Sequence, residues 1–149
     1  MTSINKYFIE KKNSGTTRSR LILASLLAMS TATAVNLGLY AFVSYLFPNV
    51  AAWSGTSPTH ILIATIVYLT LATLVFAVVR RLSSRPARHY LVVSSISLLL
   101  SLGQPIMLGF GPGLPGVPAA DPTIAITLGL MHVISYAISV PMFIRIALD

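Results

Sequence analysis

The chain has 149 residues, of which 55% are hydrophobic and only 9% charged, and its mean hydropathy is +0.83. A soluble domain of this length carries roughly a quarter charged residues, so there is too little polar surface here to cover a globule and the bilayer is the expected solvent. The formal charge of +7 does not point to nucleic acid, because every Lys and Arg lies at the N-terminus, in one short loop or at the last span end rather than on a folded basic face. With no Cys, disulfides, thiolate metal sites and thiol-based redox chemistry are excluded.

In chain order, residues 1–20 form a basic segment expected in the cytoplasm, and 21–149 a single transmembrane domain. Within the first, INKYFIEKK places Ile4, Tyr7, Phe8 and Lys11 at helical spacing, compatible with a short interfacial helix and equally with disorder. A span needs about 20 mainly apolar residues. Four segments qualify, at about 21–47, 61–79, 90–110 and 123–144, and none contains Asp, Glu, Lys or Arg. They lack the alternation of barrel strands, so the fold class is all-α, a transmembrane four-helix bundle. The first span carries the string TATA, Thr31 to Ala34, which imitates a signal cleavage site. Cutting there would leave an apolar stub too short to span, so an uncleaved anchor is expected.

Orientation follows from the basic residues, which favour the cytoplasmic side in short loops. Lys6, Lys11, Lys12, Arg18 and Arg20 precede the first span, Arg80, Arg81, Arg85 and Arg88 fill the second loop, and Arg145 follows the fourth span. The other two loops have no Lys or Arg. Both termini are therefore expected inside, in a bacterial cytoplasmic membrane. Tyr45 and Trp53 near one boundary, and Tyr90 and Phe143 near the other, fit an aromatic belt. The last loop, with Pro112, Pro115, Pro118 and Pro122, reads as a stiff uncharged cap or as a docking surface.

Polar groups inside spans are the places where function could sit, because hydrocarbon cannot satisfy them. At about 1.5 Å per residue, Asn36, Tyr68, Gln104 and His132 all fall about 18 to 23 Å from the basic boundary, in one layer. Ser94, Ser97, Ser101 and Gln104 share a helix face expected to meet other helices, as do Ala125, Gly129, His132, Tyr136 and Ser139. Ala24, Ala28, Ala32 and Asn36 recur every four residues, a small-residue seam for close packing, and Ala64, Tyr68 and Ala72 line one side of the second span. Pro105 and Pro141 each remove a helical hydrogen bond and are candidate kinks. Asn36, Tyr68, Gln104, His132 and Tyr136 thus form a candidate polar site. It is read either as a solute site or proton relay at His132, or as a structural layer in which His132 is satisfied by Asn36, Tyr68, Gln104 or a backbone carbonyl. The structural reading carries more weight.

No catalytic, cofactor or metal residues are expected. His60 and His89 lie at opposite boundaries from each other, so a bis-histidine haem is excluded, and His132 has no carboxylate at its depth for metal or acid–base work. P-loop, GxSxG and HExxH motifs are absent. Arg80, Arg81, Arg85 and Arg88 could contact anionic lipid headgroups. The stretches AVNLGLY, the Arg-rich loop, LSLGQP and LMHVISYAISVPMFIR resemble an uncharacterised family of small bacterial four-span proteins, over about 18–145. That resemblance implies the four-span fold and no activity. The expected function is non-enzymatic: an accessory or stabilising subunit of a membrane assembly, or a homo-oligomer, with membrane lipids and other membrane helices as partners. The alternative is a small-solute transporter or channel using the polar layer around His132.

Overall fold

The computed structural model describes residues 3–111, 115–117 and 119–148, with side chains from Arg18 onward. Six helices follow in order: α1 (Ser3–Leu46), α2 (Pro48–Ala52), α3 (Pro58–Leu82), α4 (Pro86–Ser101), α5 (Gly103–Phe110) and α6 (Pro122–Leu148). Four stretches are long and apolar enough to cross a membrane, namely Arg18–Leu46, Pro58–Leu82, Pro86–Phe110 and Pro122–Leu148. The chain is an all-α multi-pass membrane protein. Helix α1 continues unbroken from the basic segment into the first span, and the side chains of Ile4, Tyr7, Phe8 and Lys11 lie outside the described residues.

The turns hand the chain on through proline. Pro48, Pro58, Pro86 and Pro122 each open a helix, where a missing N–H is harmless and the fixed φ is already helical. These starts explain why the second to fourth spans begin earlier than hydropathy alone indicates. Ser57 caps α3 by accepting the His60 N–H at 3.1 Å, and Asp121 caps α6 by accepting the Thr123 N–H at 2.8 Å. That backbone bond holds the exposed Asp121 carboxyl below its ordinary range. At the arginine-bearing end, hereafter the basic end, Ser83 Oγ accepts the Arg85 N–H at 2.9 Å and lies 2.6 Å from His89 Nδ1, closing the α3–α4 turn. Arg80 Nη1 donates to the Ala147 carbonyl at 3.2 Å, tying α3 to the end of α6.

Helix α1 packs on α3 and α6, and α4 packs on α3 and α6. Ala24, Ala28 and Ala32 are wholly buried, so the small-residue seam is consumed by packing within the chain. On α3 the buried line is Ile61, Thr65, Leu69 and Phe76, whereas Ala64 and Tyr68 of the expected line are exposed. Two clusters close the bundle. At the basic end Phe76, Tyr90 and Phe143 pack with ring centroids 4.8, 5.4 and 5.8 Å apart. Tyr90 and Phe143 are therefore core residues and not part of an interfacial belt, because α3 and α6 supply aromatic partners at their depth. At the far end Val50, Leu108, Ala120 and Ile124 form the second cluster, with Trp53 packed against it, so Trp53 too is more than a belt residue. Tyr45 remains exposed, as a belt residue should.

The third span is two helices rather than one. Pro105 cannot donate to the Ser101 carbonyl, and α4 ends there, with Leu102 between it and α5. Beyond the break α5 rests on α6, and among the described residues its backbone does not come close to that of α1 or α3. A side chain on Gly109 would overlap Ala125, so glycine is what lets α5 lie so close to α6. Pro141, by contrast, sits within an uninterrupted α6. The last loop folds back through the Ala120 N–H, which donates to the Leu108 carbonyl at 3.1 Å; its Pro112 and Pro118 lie outside the described residues.

Ala28→Leu should lower unfolding stability by about 1–3 kcal/mol, because a wholly buried seam has no room for three more carbons, whereas Leu26→Ala on the outer face should change it little. Denaturation in mixed micelles followed by circular dichroism measures both. Asp121 stabilises its helix fully above the unfolded carboxylate pKa, and that contribution is lost as pH falls through its lowered folded value. Thermal melts of the wild type and Asp121→Asn should therefore differ at neutral pH and converge in acid.

Candidate functional site: a polar slot open to the side

Because α3 leans on α1 while α5 leans on α6, the second and third spans part towards the far end and leave a cavity of about 920 Å³. It extends along α3 from His60 to Val75, roughly 20 Å at 1.5 Å per residue, and opens sideways between α3 and α5. The Phe76–Tyr90–Phe143 cluster closes the basic end, and Trp53, Thr56 and Val117 line the far end. Among the described residues no Asp, Glu, Lys or Arg lines it.

All five residues of the candidate polar site line this cavity. Asn36, nearly fully buried, donates through Nδ2 to Ser135 Oγ at 2.9 Å and Thr65 Oγ1 at 3.3 Å, joining α1, α6 and α3. Its Oδ1 is buried without a partner. His132 Nδ1 lies 2.7 Å from the Leu128 carbonyl of its own helix. A carbonyl only accepts, so Nδ1 carries a proton and donates to it. His132 is thus satisfied by backbone rather than by Asn36, Tyr68 or Gln104, and its ring stands 6.1 Å from that of Tyr68. Tyr136 shares a hydrogen bond of 2.8 Å with Ser95 of α4.

Gln104 differs from the sequence reading, which turns it towards other helices. It is exposed at the cavity mouth, because the chain breaks at Leu102 and, among the described residues, the α3 backbone does not approach α5. Thr65, Ser95 and Ser135 were not signalled by the sequence, since hydroxyl residues bond their own helix so readily that only the packing reveals which reach across. Arg81, Arg85 and Arg88 lie exposed at the basic end, away from the cavity, and Arg80 is tied to α6. Among the described residues no three of His, Asp and Glu come together as a metal site.

A family model of unknown function, DUF6069, matches residues 16–148. The chain belongs to that family. No curated protein and no solved structure matches it. Membership in DUF6069 extends over all four spans and every residue lining the cavity, and it brings no assigned chemistry.

Asn36→Ala should cost about 0.6 to 1.7 kcal/mol, the range of interhelical hydrogen bonds in membranes, since three helices share its amide. Steric-trap or micelle unfolding of the variant measures it. An unchanged stability would mean that the amide contributes nothing net to the bundle.

Proposed function

We propose that this protein is a non-enzymatic binding protein or carrier for a small, uncharged, membrane-soluble molecule, which enters the slot sideways from the bilayer. The observation that carries the reading is an uncharged cavity of about 920 Å³ that has polar groups on its wall and a gap between α3 and α5 at its side. The volume lies within the range of about 300–1,000 Å³ typical of small-molecule sites. Among the described residues no ionised group lines the cavity and no carboxylate lies beside His132, which disfavours a charged solute and suits holding the occupant rather than transforming it.

In this proposal the protein lies in a bacterial cytoplasmic membrane with both termini inside, as the placement of all ten basic residues favours. The exposed Arg81, Arg85 and Arg88 then meet anionic headgroups of the inner leaflet. The uncovered ridge of α3, Ile63, Val67, Leu71, Leu74 and Val78, supports a second reading, in which the protein is an accessory subunit or homo-oligomer that packs this face on another membrane helix.

The two readings separate in one experiment. Protein extracted from its own membrane in mild detergent is weighed intact and then after solvent extraction. A carrier yields one neutral molecule per chain, lost from Ala64→Phe, which fills the cavity from an exposed position. Recovery of bulk phospholipid alone, together with a stable complex of two or more chains, would favour the second reading and remove the first.

A further inference from the structure

The polar groups lining the slot are unevenly engaged along its length. In the half next to the basic end, Ser94 Oγ donates to the Tyr90 carbonyl at 2.7 Å, Ser97 Oγ donates to the Val93 carbonyl at 2.9 Å, and Tyr136 shares its hydrogen bond with Ser95. Tyr90 and Ser139, also in this half, are only 1% and 3% exposed. At the midpoint Tyr68, and beyond it Gln104 and His60, are exposed where they line the slot. Among the described residues none of these three makes a hydrogen bond through its side chain. At about 1.5 Å per residue, Gln104 lies about 9 Å along α5 from Phe110 and Tyr68 about 15 Å along α3 from Pro58, deep enough that lipid tails surround them and satisfy neither amide nor phenol. Amide and phenol each donate and accept, so they fix where a polar group rests and not which kind it is.

We infer that the occupant of the slot is an uncharged amphiphile bound in one orientation, its polar head between Tyr68, Gln104 and His60 and its hydrocarbon directed towards the Phe76–Tyr90–Phe143 cluster. The reverse orientation would leave Tyr68 and Gln104 against hydrocarbon and press the head onto the aromatic floor. A wholly apolar occupant would leave the same two side chains unsatisfied. The direction is the one lipids hold in the leaflet away from the basic end, so a molecule of that leaflet passes between α3 and α5 without inverting. This orientation rests on the carrier reading above, and it adds the class of ligand and how the ligand lies.

Trp53, the chain's one tryptophan, lines the far end of the slot and reports the orientation by its fluorescence. The protein in phosphatidylcholine nanodiscs is titrated with two 1-monoacylglycerols, one dibrominated near the ester and the other near the chain terminus, bromine being a short-range quencher of indole. Native mass spectrometry counts the bound molecules, and Ala64→Phe supplies the quenching that comes from probe dissolved in the bilayer. The expected result is a saturable adduct with both probes and stronger quenching by the ester-side label. Gln104→Leu combined with Tyr68→Phe, both at exposed positions, should weaken binding by about tenfold, the loss of at least one hydrogen bond, whereas Ser30→Ala, whose hydroxyl bonds α1 on the exposed side, should not. Equal quenching by the two labels, or stronger quenching by the terminal one, with the adduct still present would overturn the orientation and leave the carrier reading standing. No saturable adduct of either probe would remove both, and circular dichroism of each variant confirms that the helices persist.

Discussion

Everything in this bundle depends on how closely α1 can approach its neighbours. Three alanines on one face, all without access to solvent, bring its backbone against α3 and α6 at once, and the asparagine one turn further on stitches the same three helices together. In a bilayer there is no hydrophobic gain from bringing helices together, so contact of this kind is what distinguishes a packed pair from two helices separated by lipid. The third span has no equivalent seam. It meets α3 through the aromatic cluster at the basic end, and beyond Leu102 it rests on α6, where Gly109 allows the close approach, and on Val50 and Ala120 through Leu108. The slot is the space left by that inequality.

The gross architecture was legible because membrane-spanning segments announce themselves by length and by the exclusion of charge, and the prolines sharpened the boundaries. The alanine seam was legible too, since a four-residue period on one helix needs no knowledge of the partner. What could not be read was the partner itself. Tyr90 and Phe143 have the composition and position of belt residues, and only the arrival of Phe76 from another span turns them into core. Gln104 shares a helical face with three serines, yet whether that face is covered depends on where α3 lies, a matter of tertiary spacing.

The polar layer illustrates the same division. Depth along each helix is simple arithmetic, and the five residues that arithmetic selects do line one cavity. Their partners are a different matter. His132 turned to its own backbone, and Asn36 found two hydroxyls that no periodicity singles out. Short hydroxyl side chains have a local carbonyl always within reach, so their part in tertiary structure is decided by what happens to lie opposite.

Helix α5 has eight residues, a length at which an isolated helix is not stable in water, and it is severed from α4 by the missing proline donor. Its support comes from α6 and from the loop that folds back on Leu108. Bracing in this protein is consequently uneven along the membrane normal: the aromatic end is cross-braced by three spans, whereas the far half of the third span has fewer neighbours. The side of the slot is thus formed by a short helix held by α6, by the far-end cluster and by its own loop, and not by the close-packed seam that fixes α1.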